Sequence, residues 1–248
     1  MTTAAGDKRV ALVTGANKGI GLEVARGLGA KGLTVLVGAR QPALGEAAAA
    51  TLRSEGLDAR FIEIDVSKRE SVEAAAKRIT EEVGRLDVLV NNAAAGLDFT
   101  NPADVDEESF IDILNTNVIG SFRTIKALLP LLRASSAPRI VNVSSDFGSI
   151  TLNCDSKKQH SRAISLAYPA SKSALNQVTV QFAKSFRGTN IKINSVNPGF
   201  TDTDMIAHMG VTAGRTPAQG AQPIIDFALI DDDGPTGGFF DEDGTLPW

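Results

Sequence analysis

The residues with the clearest chemical promise in this sequence are a tyrosine and a lysine that lie four positions apart. Tyr168 is the only tyrosine among the 248 residues, and its spacing to Lys172 places both side chains on one face of a helix. An adjacent ammonium favours the charged form of a phenol, so we expect Lys172 to lower the pKa of Tyr168 below its usual value of about 10. The pair predicts a general acid or base, although a solvated helix surface can show the same spacing.

A glycine-rich turn near the amino end predicts a phosphate-binding site. The stretch Gly15-Ala16-Asn17-Lys18-Gly19-Ile20-Gly21 follows a predicted buried strand, Arg9 to Thr14, and precedes a predicted helix. Glycines let the backbone approach a pyrophosphate, and the unpaired N–H groups of a helix N-terminus attract its negative charge. Three glycines at this spacing carry little weight alone, but their position directly after the first strand is typical of a dinucleotide-binding turn.

The end of the second predicted strand, Leu33 to Ala39, indicates which dinucleotide binds. Ala39 offers no carboxylate for the adenosine ribose of NAD, whereas Arg40 carries a guanidinium that suits a 2′-phosphate. Lys18 adds a second cation near the same position. A surface arginine and a solvated loop lysine would look the same, yet both cations lie where that phosphate must lie. We therefore expect NADPH or NADP⁺ rather than NADH.

The third and fourth predicted strands, Arg60 to Ile64 and Leu86 to Val90, also end in residues that suit a ligand site. Asp65 follows the third strand, where it either accepts a hydrogen bond from an adenine amino group or caps the next helix. The fourth strand ends in Asn91-Asn92-Ala93, whose small residues leave room for a ribose. We expect its asparagines to tie neighbouring strand ends together through side-chain to backbone bonds.

A long apolar helical region is predicted over residues 103–133. Its apolar residues cover more than the single stripe that a helix needs against a sheet, so we expect the surplus face, together with helix 166–187, to pack in a homo-oligomer. Asn117 lies within this region. A buried asparagine in mid-helix is costly unless it has hydrogen-bonding partners or a function.

Two loop regions are expected near the ligand. After the fifth predicted strand, Arg139 to Val143, the pair Ser144-Ser145 enters the crevice where parallel sheets bind ligands. Residues 146–163 then lose periodicity and predict a flexible substrate flap, and residues 203–220 predict a lid. We predict no metal site, because Cys154 and His160 lack further ligands at a suitable spacing for zinc.

The alternation of strands and helices predicts the fold. Six strands, of which the last spans Ile191 to Val196, and an edge strand and turn over Gly237 to Gly244 fit one α/β domain over residues 1–248. We expect a Rossmann-type, doubly wound parallel sheet in three layers, with the ligand chemistry at the carboxyl ends of the strands.

Composition narrows the functional class. The net charge of −4 leaves no basic excess for binding nucleic acid. No apolar run reaches membrane-spanning length, the amino end lacks a signal-peptide core, and the sole cysteine, Cys154, cannot form an intramolecular disulfide. We therefore expect a cytoplasmic protein that acts on a small molecule, with neither nucleic acid nor membrane as a partner.

The order of several motifs resembles that of the short-chain dehydrogenase/reductase family. These motifs run through nearly the whole chain and comprise Thr14-Gly15-Ala16-Asn17-Lys18-Gly19-Ile20-Gly21, Asn91-Asn92-Ala93, Asn117, Ser145, Tyr168 with Lys172, and Asn197-Pro198-Gly199. Each motif is weak alone, whereas their order is highly specific. The Asn17-Lys18 turn, Arg40 and the long stretch before Tyr168 are most similar to NADPH-dependent carbonyl reductases and menthone-reductase-like members.

The resemblance implies reduction of a ketone or aldehyde to an alcohol with NADPH, reversible with NADP⁺. Tyr168 would protonate the carbonyl oxygen, Ser145 would hydrogen-bond that oxygen, and Lys172 would grip the nicotinamide ribose. Asn117 would hold a water that links Lys172 to solvent. The implied cofactor contacts are Gly15, Asn17, Lys18, Gly19, Ile20, Gly21, Arg40, Asp65, Val66, Asn92, Ala93, Tyr168, Lys172, Pro198, Gly199, Thr201 and Thr203.

The sequence departs from the family pattern at two places. Ala94 stands where the family usually has glycine, and the segment between Ser145 and Tyr168 is longer than in plain members, so we expect this segment to shape the substrate pocket. The choice of Ser145 over Ser144 rests on the family register, since alternate strand residues face opposite ways. The competing interpretation is a regulator that binds NADP(H) without turnover.

Overall fold

The computed structural model describes residues 8–96, 99–157, 163–207 and 214–248. Within these residues, eight strands form one sheet. The strands are β1 (Val10–Thr14), β2 (Thr34–Ala39), β3 (Ala59–Glu63), β4 (Val88–Asn91), β5 (Arg139–Val143), β6 (Lys192–Val196), β7 (Phe239–Asp241) and β8 (Gly244–Thr245). Their order is β3-β2-β1-β4-β5-β6-β7-β8, and only the last pair is antiparallel. The chain order reverses between β1 and β4, which is where such sheets open a crevice for ligands.

Helices cover both faces of the sheet. They are α1 (Gly19–Ala30), α2 (Pro42–Ser54), α3 (Arg69–Glu82), α4 (Glu107–Leu114), α5 (Gly120–Arg133), α6 (Ile150–Cys154), α7 (Ala167–Ser185), α8 (Asp204–Ala207) and α9 (Pro217–Ala228). Helices α1, α2 and α9 bury apolar side chains on one face, while α3, α5 and α7 do so on the other. The expected single domain of three layers is confirmed.

The strands bury both of their faces, as parallel strands between two helix layers must. In β1, Ala11 and Val13 point into the core beneath α1, whereas Val10 and Leu12 point into the core beneath α5. This alternation follows from the two-residue repeat of a strand. The predicted strand bounds differ from the observed ones by one or two residues at most ends.

A row of polar side chains crosses the middle of the sheet. Asn91, Asn142 and Ser195 occupy paired positions on β4, β5 and β6. The Asn91 amide donates to Asn142 Oδ1 at 2.8 Å, and the Asn142 amide donates to Thr179 Oγ1 of α7 at 2.8 Å. Thr179 Oγ1 in turn lies 2.8 Å from Ser195 Oγ, and Thr124 of α5 donates to Asn91 Oδ1 at 2.6 Å. These buried groups satisfy one another, so the row fixes the alignment of three strands and two helices.

The predicted long helical region over 103–133 is helical over most of its length, and the structure divides it into several elements. A short 3₁₀ turn (Pro102–Asp104) precedes α4, and a π-helical turn (Asn115–Ile119) joins α4 to α5. One extra residue per turn rotates the side chains that follow it, and such turns recur at functional sites. The turn places Asn117, with 1% of its surface exposed, against the end of β4.

The predicted flap and lid contain more regular structure than the sequence indicated. Within 146–163, a 3₁₀ turn (Asp146–Gly148) leads into α6, whose first turn is capped by Ser149 Oγ, which accepts from Leu152 N–H at 3.0 Å. Within 203–220, α8 and the first turn of α9 are helical, and Thr216 and Gln219 form a reciprocal cap at the start of α9. Residues 158–162 and 208–213 lie outside the described part of the chain.

Among the helices described, none combines the length and the apolar character that a bilayer crossing requires.

Candidate active site

The first two turns of α7 hold the tyrosine and the lysine together. Tyr168 is 8% exposed and Lys172 is 3% exposed, and the ammonium nitrogen lies 5.4 Å from the centre of the phenol ring. Helix α7 reaches this depth because Gly148 lets the turn after β5 approach it closely. A Cβ on Gly148 would lie only 2.9 Å from the backbone of Lys172. The predicted pairing on one helix face is therefore present, and it is buried rather than solvated.

Lys172 binds the end of β5 through its ammonium group. Nζ donates to the backbone carbonyl of Val143 at 2.8 Å. Burial removes the ammonium from water and lowers the pKa of Lys172 from 10.5 to about 8. The group is thus mostly charged at neutral pH but releases its proton more readily than a surface lysine.

The expected lowering of the Tyr168 pKa is wrong. Burial raises the pKa of Tyr168 above its ordinary value, a hydrogen bond with Ser145 lowers it in part, and the nearby charge of Asp146 raises it further. A phenolate loses more stabilisation when water is removed than a single neighbouring hydroxyl can restore. The Lys172 ammonium is directed to the Val143 carbonyl, and the phenol keeps its proton at neutral pH.

The two serines after β5 have different surroundings. Ser145 is close enough to Tyr168 to lower the pKa of the phenol, and its hydroxyl donates to Asp146 Oδ1 at 3.1 Å and accepts from Phe147 N–H at 3.3 Å. Ser144 is turned away and donates to Asn176 Oδ1 of α7 at 2.7 Å. The alternation along the strand thus places Ser145, and not Ser144, beside the phenol.

Asn117 connects the π-helical turn to both the segment after β4 and α7. Its Oδ1 accepts from Ala95 N–H at 2.8 Å, while its amide donates to the Ala95 carbonyl at 3.0 Å and to Ser171 Oγ at 2.9 Å. Ser171 Oγ itself donates to the Tyr168 carbonyl at 2.7 Å. The side chain therefore has a structural role, with protein partners for both ends of its amide. Its place in a water-mediated proton relay stays a prediction.

The glycine-rich turn is packed against the end of β4. Gly15 and Gly19 have φ values of +65° and +57°, in the left-handed region that glycine adopts without strain. The Asn92 amide donates to the carbonyls of Thr14 and Gly15 at 2.9 and 3.2 Å, so the predicted side-chain to backbone tie is confirmed for Asn92. A Cβ on Gly21 would lie 2.4 Å from the Asn92 amide nitrogen, so a side chain here would displace that tie.

The carboxyl ends of β3 and β2 carry the groups expected around adenine and its ribose. Asp65 Oδ1 accepts from the N–H and the hydroxyl of Ser67 at 3.0 and 2.6 Å. Burial raises the pKa of Asp65, but the Ser67 hydrogen bonds and the charges of Lys68 and Arg40 outweigh it, and the net pKa is lowered. The helix-cap interpretation of Asp65 is wrong, since α3 begins after Lys68 and Asp65 instead closes the turn before it.

The two cations expected to bind a 2′-phosphate, Arg40 and Lys18, differ in their ion-pair partners. Arg40 is exposed, and no ion pair engages it among the residues that the structure describes. Lys18, in contrast, donates to Asp204 Oδ2 at 2.7 Å, so the solvated loop lysine of the sequence analysis has a carboxylate partner.

The turn after β6 reaches the glycine turn. Gly199 has a φ of +72° and donates its N–H to Asn197 Oδ1 at 3.1 Å, and Thr201 Oγ1 donates to the Gly199 carbonyl at 3.0 Å. Thr203 then approaches Gly19, because its Cγ2 lies 3.7 Å from the position of a Cβ there. The contacts of the remaining residues with a cofactor stay a prediction. The structure places Asn17 and Ile20 in the glycine turn, Val66 against Gly120, Ala93 beside Gly15, and Pro198 before Gly199.

Several residues of this site were missed by the sequence analysis. Phe147 packs edge-on to the Tyr168 ring, with centroids 6.4 Å apart, and Met205 and Ile206 complete an apolar wall around the phenol. Ser171 supports Asn117, and its position between Tyr168 and Lys172 was a usable signal. The wall residues carry no such signal, because they come from separate loops.

Comparison with known proteins places this site in a family. Residues 9–212 match the family of short chain dehydrogenases. Carbonyl reductase (NADPH) 1 of Sus scrofa is 32% identical over 97% of this chain and 94% of that protein. (−)-Isopiperitenone reductase of Mentha piperita is 31% identical over 96% of this chain and 98% of its own length. The NADPH-bound crystal structure of carbonyl reductase from chicken fatty liver superimposes with a TM-score of 0.84 at 25% identity, covering 97% of this chain and 99% of that one.

The sheet order, the glycine turn on Asn92 and the buried tyrosine and lysine thus occur in a chain whose sequence matches one family over most of its length. The protein belongs to the short-chain dehydrogenase family of oxidoreductases and is similar to its carbonyl reductases and to isopiperitenone reductase.

Proposed function

We propose that this protein uses NADPH to reduce a ketone or aldehyde to the alcohol, and that it oxidises the alcohol when NADP⁺ is in excess. The observation that carries the proposal is the burial of Tyr168 together with Lys172, whose ammonium nitrogen lies 5.4 Å from the centre of the phenol ring, at the same edge of the sheet as the glycine turn. Carbonyl reductases among the relatives support the reaction type.

The residues present fit a dinucleotide. Gly15, Gly19 and Gly21 leave the backbone of the turn bare of side chains, and α1 begins at Gly19 with its N–H groups at the cradle. NADPH, when bound, supplies a hydride to the carbonyl carbon. Asp65 and Val66 would hold adenine, Arg40 and Lys18 the 2′-phosphate, and Asn92, Ala93, Pro198, Gly199, Thr201 and Thr203 the remainder of the cofactor.

Tyr168 would serve as the proton donor in this reaction. The hydroxyl carries its proton at neutral pH and would give it to the carbonyl oxygen as negative charge develops there. Burial raises the pKa of Tyr168, so this transfer needs a positive charge that stabilises the phenolate. Ser145 would donate a hydrogen bond to the same oxygen. The proton transfer leaves a phenolate in a buried site, where the ammonium of Lys172 is the nearby positive charge that favours it.

The competing interpretation, a regulator that binds NADP(H) without turnover, receives less support. A sensor needs the cofactor contacts but has no use for a hydroxyl pair at the carbonyl position. Ser145 nevertheless lies close enough to Tyr168 to lower the pKa of the phenol, and the similar proteins with a named activity are reductases and dehydrogenases.

The two loop regions predicted from the sequence would shape the substrate side. Phe147 from 146–163, and Met205 and Ile206 from 203–220, already pack around Tyr168. We assign the substrate flap and the lid to these segments on that basis.

A homo-oligomer through α5 and α7 is the assembly that the surface favours. Ile119 and Phe122 are 44% and 42% exposed, and Phe122 packs against Phe182 of α7 at 6.2 Å. The two helices line an apolar groove with Val118, Phe122, Ala174, Val178 and Phe182. A continuous apolar groove of this kind is better covered by a second copy than by water.

Replacement of the proposed proton donor tests the reaction. Tyr168→Phe removes the hydroxyl but keeps the ring, and we expect turnover of a ketone and aldehyde panel to fall by roughly 10²- to 10⁴-fold. The Kd for NADPH, measured by cofactor fluorescence, should stay within about twofold of the unaltered protein. Full turnover in the variant would contradict the assignment, and absence of turnover in the unaltered protein with intact NADPH binding would favour the sensor.

Ionisation of the single tyrosine can be followed by ultraviolet difference absorbance, with no competing tyrosine signal. We expect Tyr168 to ionise at a higher pH than free tyrosine, since burial disfavours the phenolate. Ser145→Ala removes the hydrogen bond that lowers this pKa, and the ionisation should move to still higher pH. Tyr168→Phe provides the blank, and ionisation below about pH 10 would contradict the prediction.

The role of Arg40 is tested by charge reversal. Arg40→Asp replaces the guanidinium with a carboxylate suited to a ribose hydroxyl, and we expect the Kd for NADPH to rise by roughly tenfold or more while NADH binding improves. Arg187→Asp makes the same charge change at an exposed arginine after α7 and serves as the control. An equal Kd for NADPH in Arg40→Asp and in the control would show that Arg40 does not bind the 2′-phosphate.

The proposed subunit contact is tested by a charge on the groove. Phe122→Asp should convert the oligomer into a monomer in size-exclusion chromatography with light scattering, because burial of an unpaired carboxylate is costly. Leu44→Asp, at a 50% exposed position on α2, should leave the oligomer intact. A monomeric unaltered protein at micromolar concentration would contradict the proposal.

A further inference from the structure

An ion pair joins two distant parts of the chain at the ligand site. Lys18 of the glycine turn and Asp204 of α8 are 186 positions apart, yet Nζ and Oδ2 lie 2.7 Å from each other. Both side chains are largely exposed, at 64% and 72%. An exposed pair of this kind is weakly held, so another anion can take the place of the carboxylate.

The two partners connect the phosphate cradle with the proposed proton donor. Lys18 directly precedes Gly19, at the start of α1. Asp204 opens α8, in which Ile206 packs on Tyr168, and the preceding Thr203 approaches Gly19. The ion pair therefore links the cradle to the helix beside the phenol.

If the proposed cofactor binds, its 2′-phosphate and the Asp204 carboxylate compete for the ammonium of Lys18. The 2′-phosphate of NADPH carries more negative charge than a carboxylate and is expected near Arg40 and Lys18. Arg40 has no ion-pair partner among the described residues, whereas Lys18 already has Asp204. NADH has no 2′-phosphate, so its binding brings no group that competes with Asp204 for Lys18.

We propose that Asp204 is a specificity-determining residue that competes with the 2′-phosphate of NADPH for Lys18 and so reduces the preference for NADPH over NADH. The inference rests on the proposed function, because it requires a dinucleotide in this site. It assigns to Asp204 a role that neither Arg40 nor Lys18 fulfils, namely limiting the selectivity that those two cations create.

A double-mutant cycle tests this competition. The Kd values for NADPH and for NADH are measured by isothermal titration calorimetry at low ionic strength for the unaltered protein, Asp204→Asn, Lys18→Met and the double variant. We expect Asp204→Asn to tighten NADPH binding by about two- to fivefold, the range of an exposed ion pair, and to change NADH binding by less than about twofold. In the Lys18→Met background, the same substitution should have no effect on NADPH.

The control is Asp226→Asn, which removes an exposed carboxylate of α9 that accepts a hydrogen bond from Gln222. It should leave both Kd values unchanged. An unchanged ratio of the two Kd values in Asp204→Asn, weaker NADPH binding in that variant, or an equal change in the Lys18→Met background would each overturn the inference while leaving the proposed function intact. Failure of the unaltered protein to bind either dinucleotide would instead overturn the proposed function, and the inference with it.

Discussion

Burial of a phenol and an ammonium in one place is the constraint on which the candidate site depends. Water stabilises the charged form of each group, so its exclusion raises the pKa of Tyr168 and lowers that of Lys172. Both shifts oppose charge, and the buried ammonium of Lys172 has a hydrogen-bond partner in the Val143 carbonyl. The turn at Gly148 allows this burial, since α7 can approach β5 only where no side chain intervenes.

Much of the fold followed from local patterns in the sequence. The first strand, the glycine turn and the tie from Asn92 were predictable because each depends on neighbouring residues or on the shared edge of a parallel sheet. The broad apolar region over 103–133 also predicted helix, but not the π-helical turn at Asn115–Ile119. That turn depends on the partners of Asn117, which come from Ala95 and Ser171.

The features that sequence analysis missed are those set by tertiary packing. The direction of the Tyr168 pKa shift depends on how deeply α7 is buried, which a four-residue spacing does not reveal. The partner of Lys18 lies 186 positions away and belongs to a segment that was predicted only as a lid. Phe147, Met205 and Ile206 form one wall because separate loops meet at the phenol, and no periodicity connects them.

The polar row formed by Asn91, Asn142 and Ser195 has a consequence for the spacing of the whole site. A strand with only apolar side chains can shift its register by two residues and still place apolar side chains against both helix layers. The amides and hydroxyls of this row hydrogen-bond to one another in only one strand register. Any shift of a strand would leave buried polar groups without hydrogen-bond partners in the core. The distance between the cradle at the end of β1 and the serine beyond β5 is therefore set deep within the sheet, far below the surface where the ligand would enter.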